Sequence, residues 1–360
     1  MALARTRLID QTRPGWYHCI SRCVRRAFLC GDRYGHRRQW IEDRLRFLAG
    51  CFAAEVSAYA VMSNHVHVVV RMDPRVSASW DDLEVTRRWM SVYPRSYLSD
   101  GTPVLPPEDV LRKQAQDTAW VAVRRTRLGE LSWLMKAFKE PIARRANRED
   151  DCTGAFWEER FTAVPLLDQP ALIACMAYVD LNPVRAKMAP TPEASAFTGV
   201  RERARSRKRL RASQRLAIRT AHATTEVARE RVARLRARVG LALPPAHAED
   251  GLWLAPMERC YVGEPLMNRL MKVDDYLTLV DATGKLMKAG KRGAVVATLA
   301  PILARLDLEV DAWLATMLGW RQMSGSVLGS PEVRMAEAQR RGVKWVRNTC
   351  SLFVKNGSAA

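Results

Sequence analysis

The chain has 360 residues, with 58 Lys or Arg against 38 Asp or Glu, a formal net charge of +20, and 48% hydrophobic residues. This apolar content excludes a wholly disordered chain, and the length is a prior for about two domains. No apolar run approaches the roughly 20 residues of a membrane helix, so no membrane partner is expected. The N-terminal residues lack the apolar stretch of a secretory signal. The eight dispersed cysteines form no CxxC pair and suit a reducing cytosol.

In chain order, residues 16–23 (WYHCISRC) predict a strand. Residues 39–54 predict a helix, because Ile41, Leu45, Leu48 and Phe52 recur on one helical face. Residues 55–62 and 65–72 predict two strands joined by the polar link Ser63-Asn64, hence a hairpin. Residues 73–125 are polar and carry Pro74, Pro94, Pro103, Pro106 and Pro107, which reads as an insertion with short helices. Helical patterns follow around residues 131–146 and 170–178, and FWEERFTAVPLL between them predicts partial strand. From Leu252 onward, Trp253, Tyr276, Leu303 and Trp313 supply the apolar content of a small, mostly helical domain. The expected division is 1–195, 196–245 and 246–360.

Charge is concentrated between the last two. From Arg201 to Gly240 there are fourteen basic and three acidic residues, a net of +11. The segment has no proline and only a terminal glycine, and Ala and Arg favour helix. A helix bearing Arg205, Arg207, Lys208 and Arg209 suits nucleic-acid phosphates. A solvated basic linker has the same composition. Apolar positions are too sparse for a membrane-surface helix.

Two of the chain's six histidines, His65 and His67, occupy alternate positions of one strand. At period two they point the same way, about 6.6 Å apart along the strand, a spacing at which two imidazoles can share a divalent ion. A pair of half-buried structural histidines would show the same pattern. Tyr178 ends an apolar helical stretch, and alone it reads as a core residue. Asn182 lies one helical turn further on, so its amide could be a third ligand. Pro183 opposes that continuity and equally suits Asn182 as the cap of a new helix.

Together these motifs resemble the single-tyrosine HUH endonucleases, and among them the REP-associated tyrosine transposases. The order is strand, helix, NHVHVVV hairpin, FWEERF and then YVDLNPVRA, covering roughly residues 5–195. Trp157, Arg160 and Phe161 match a W-x-x-R-F element. Tyr178 falls at the nucleophile position, ahead of Asn182, Pro183, Val184, Arg185 and Ala186. The resemblance implies an α+β class, with a ferredoxin-like antiparallel sheet carrying helices on one face. It implies a bacterial cytosolic, nucleoid-associated enzyme that cuts and rejoins single-stranded, hairpin-forming DNA through a 5′-phosphotyrosine at Tyr178. Mg²⁺ or Mn²⁺ would sit on His65, His67 and Asn182. Arg22, Trp157, Arg160, Arg185 and the basic segment would contact DNA. Relatives include dimers, so a homodimer is compatible.

Three other readings stay open. An inactive or domesticated relative would bind hairpin DNA without cutting it. A hydrolase with HxH on a strand would need further ligands, and only His222 and His247 follow. A basic RNA-binding module is a third reading on charge alone.

Overall fold

Strand residues that alternate between two apolar sides build a four-stranded antiparallel sheet. The computed structural model describes residues 9–97, 103–221, 252–262, 270–288, 293–320 and 327–346. Strand β1 (Gly15–Arg22) lies between β3 (His65–Met72) and β6 (Thr162–Leu166), and β2 (Ala54–Val61) flanks β3. Residues Ser96–Tyr97 (β4) and Pro103–Val104 (β5) form a separate short ladder. The spatial order is β2-β3-β1-β6, with every neighbouring pair antiparallel.

The expected helices on one face are only half of the arrangement. Tyr17, Cys19, Val66, Val68 and Val70 face the helices Arg37–Cys51 and Leu131–Glu149 through Ile41, Leu45, Leu48, Leu134 and Phe138. Trp16, Ala58, Ala60, Val69 and Leu166 face the other way and are covered by the helix Gln169–Asp180. Central strands with apolar residues on both sides must be buried on both sides.

The Gln169–Asp180 helix is buried at every position from Ala171 to Asp180. An apolar sequence with no polar face needs partners all round. It finds them in the sheet and in the helices Val273–Lys288 and Val310–Gly319, whose Tyr276, Leu279 and Trp313 belong to the same buried cluster. Asp168 caps its first turn, accepting from the Ala171 N–H at 2.9 Å.

The insertion forms helices Pro74–Ser79, Asp82–Val92, Glu108–Ala115 and Thr118–Leu128. The basic segment begins as helix Gly199–Ala221, and its remainder lies outside the described residues, as do His222 and His247. Its first turn is docked against β2. A Cβ at Gly199 would lie 3.1 Å from Ala58 Cα, so only glycine allows this approach without displacement. Arg203 is 1% exposed and donates to Ser57 O at 2.6 Å and Ala255 O at 3.0 Å.

Candidate active site

The β3 register places His65 and His67 on the face that the Gln169–Asp180 helix covers. Because β1 pairs Ile20 with His67, it brings His18 to the same face one diagonal step away. His18 Nε2 and His67 Nδ1 are 2.9 Å apart, and the two rings stack with centroids 5.1 Å apart. His65 and His67 have ring centroids 4.8 Å apart, and His65 Nδ1 lies 2.7 Å from Asn64 Oδ1. With Nδ1 engaged, His67 has one nitrogen left. That nitrogen, Nε2, is buried and has no hydrogen-bond partner.

Both inner imidazoles are held neutral. Burial pushes His18 down to about 3. Burial, then the positive charge that His18 and His65 would carry, and then Arg22 and Arg185, hold His67 well below the usual histidine range. A neutral ring is the ligand form of histidine. The His18 Nε2–His67 Nδ1 hydrogen bond sets the orientation of the His67 ring.

Tyr178 comes from the last turn of its helix and is 6% exposed. Its ring centroid is 5.8 Å from that of His67 and 6.3 Å from that of His18. Trp320, just beyond the Val310–Gly319 helix, stacks on it at 4.5 Å with an interplanar angle of 13°. The Arg185 guanidinium lies 4.9 Å from the ring centroid.

Asn182 reaches the same place in spite of Pro183. The helix ends at Leu181, and a separate helical turn, Asn182–Arg185, starts with Pro183 in its first positions. Asn182 is 2% exposed and its Nδ2 has no partner. An amide can present either its oxygen or its nitrogen by a flip. His18, His65, His67, Tyr178, Asn182 and Trp320 share one cavity of about 690 Å³.

The donors gathered here, two imidazoles and one amide, are of kinds that can hold a borderline divalent ion. No group of three or more His, Cys, Asp or Glu with metal-holding arrangement occurs among the described residues. Behind the site, Asp180 accepts from Tyr276 Oη at 2.6 Å and from the Val200 N–H at 2.9 Å. Burial pushes its carboxyl up to about 6, against these hydrogen bonds.

Other expected contacts divide. Arg22 is exposed and lines the cavity. Trp157 does not: it is 8% exposed, sits in the core of the opposite face and donates from Nε1 to Lys139 O at 3.0 Å. Arg160 is exposed, away from the cavity lining. Arg207 pairs with Asp274 through Nε at 2.7 Å. Arg205 lies 3.6 Å from Glu202, while Lys208 and Arg209 are exposed. His18 and Trp320 were not anticipated. His18 becomes legible only once the β1–β3 register is known, and Trp320 has no local signal. Comparison with protein-family models, curated proteins and solved structures finds no match to this chain.

Proposed function

We propose that the chain is a metal-dependent, single-stranded DNA endonuclease and strand transferase of the single-tyrosine HUH type, acting on hairpin-forming repeat DNA. One observation carries this reading. His67 with its partnerless Nε2, Asn182 with its partnerless Nδ2, and the Tyr178 ring all line one cavity. The strand order β2-β3-β1-β6, with a helix after β1 and another before β6, supports the ferredoxin-like form of that fold. Among the described residues no helix is long and apolar enough to cross a membrane.

In this reading the Tyr178 oxygen attacks a scissile phosphorus in line. The new O–P bond forms as the bond to the 3′-oxygen breaks, leaving a 5′-phosphotyrosine and a free 3′-hydroxyl. A 3′-hydroxyl attacking the phosphotyrosine reverses the exchange and joins strands without ATP. His65, His67 and Asn182 would hold Mg²⁺ or Mn²⁺, which supplies Lewis-acid polarisation of a phosphate oxygen. His18 keeps His67 aimed at the cavity. Arg185, beside the phenol ring, offsets charge on the phosphate. Trp320 covers one face of the phenol ring.

The Trp320 stack also favours a second reading, because it covers one face of the proposed nucleophile. A closed site of this kind fits a protein that binds hairpin DNA without cutting it. Incubation with a single-stranded hairpin oligonucleotide and Mn²⁺, followed by a denaturing gel, separates the two. Strand transfer predicts a covalent protein–DNA band that Tyr178→Phe lacks. The same band in that variant refutes the nucleophile, and DNA binding with no band in the wild type supports the second reading.

A further inference from the structure

The segment after β1, CVRRAFLCG, bends sharply at the mouth of the cavity. Arg25 and Arg26 are consecutive left-handed residues, with φ of 53° and 55°. Side chains with a Cβ rarely adopt this conformation, and two in a row persist only where the surroundings enforce it. Here they do. The N–H of Cys23 donates to Asn64 O at 2.8 Å, that of Val24 to Phe156 O at 2.9 Å and that of Cys30 to Ser63 O at 2.8 Å. Asn64 Nδ2 donates to Arg26 O at 2.9 Å. Gly31 completes the fit, since a Cβ there would lie 2.7 Å from Ser63 Cβ. The loop is thereby pinned to the same turn that carries His65.

The strained bend presents Phe28, 61% exposed, together with the exposed side chains of Arg22 and Arg26. All three line the cavity that holds His65 and Tyr178. An exposed phenyl and two exposed guanidiniums lining one cavity have the composition of a single-strand contact, with the ring for a base and the guanidiniums for its phosphates.

We infer that residues 22–28 form a nucleotide-binding loop, in which Phe28 stacks an unpaired base next to the scissile phosphate and Arg22 and Arg26 hold the adjoining backbone. The inference rests on the strand-transfer reading for its substrate class, but its test does not need cleavage. A fluorescein-labelled dT20 strand and an abasic strand of equal length are titrated by anisotropy, with full-length protein in EDTA. Phe28→Ala should weaken dT20 binding about tenfold, leave abasic binding unchanged, and be rescued by Phe28→Trp. Arg26→Ala should weaken both strands alike and lower the salt slope by about 0.7. Because Phe28 is exposed, its removal takes nothing from the core, and circular dichroism checks the fold. The loop assignment is overturned if Phe28→Ala binds dT20 as the wild type does, or loses both strands equally. It is also overturned if the wild type binds dT20 no better than the abasic strand. A wild type that binds neither strand overturns this inference and the strand-transfer reading together. Absence of the covalent band with dT20 binding intact and lost in Phe28→Ala would instead remove only cleavage and leave the loop in place.

Discussion

Replacing Asp180 by asparagine should reshape how stability depends on pH. The carboxyl is fully buried, and burial lifts it from 3.8 to about 6. The folded chain therefore holds this proton more tightly than the unfolded chain does. The resulting stabilisation is fully present below the unfolded value near 3.8 and is lost as the pH rises through about 6. At about 1.36 kcal/mol per pH unit, the whole effect is roughly 3 kcal/mol. Between pH 7 and pH 5 the wild type should gain roughly 1 kcal/mol relative to Asp180→Asn. The histidine pair works in the opposite direction: His18 and His67, held neutral by burial, lose stability as the pH falls below 6.5. Subtracting the variant's curve from the wild type's removes that contribution. The assay is urea unfolding in EDTA at pH 5, 6 and 7, with the slope of each transition checked for constancy. A difference that stays constant, or that grows toward alkaline pH, would refute the assignment of a buried, proton-retaining carboxyl behind the site.

Two further outcomes follow from the same geometry. His18→Ala removes the bond that orients His67, so Mn²⁺ affinity should fall roughly 10- to 100-fold by isothermal titration calorimetry, while secondary structure stays intact. Unchanged affinity would mean that His67 needs no such support. Trp320→Ala uncovers one face of Tyr178, so nitration by tetranitromethane at Tyr178 should quicken severalfold by peptide mapping, and Trp320→Phe should restore protection. Equal nitration rates in all three proteins would show that the stack does not shield the phenol.

The hairpin and its two histidines were legible because the NHVHVVV alternation fixes which side chains share a face, and the observed β3 bounds match residues 65–72. The helix bearing Tyr178 was equally legible. Its burial on both sides was not, because the partners Tyr276 and Trp313 lie about a hundred residues or more downstream. His18 needed the inter-strand register, which no local pattern encodes. The W-x-x-R-F motif says nothing of where the Trp157 indole N–H finds an acceptor, which is Lys139 O on the opposite face. The basic run likewise hid an internal pair, because Arg207's partner Asp274 is 67 positions away. Asn182 and Pro183 show a local conflict resolved by tertiary structure. The helix breaks at Leu181, as proline demands, and the new turn still delivers the amide to the cavity.

The most direct measurement is the site of attachment on the protein. After reaction with a hairpin oligonucleotide and Mn²⁺, the adduct is digested with nuclease and trypsin and read by mass spectrometry. Cleavage after Arg160 and Arg185 yields a peptide whose only tyrosine is Tyr178. The account predicts a nucleotide remnant on that tyrosine. A remnant on any other residue, or none on a protein that still cuts the strand, would contradict it.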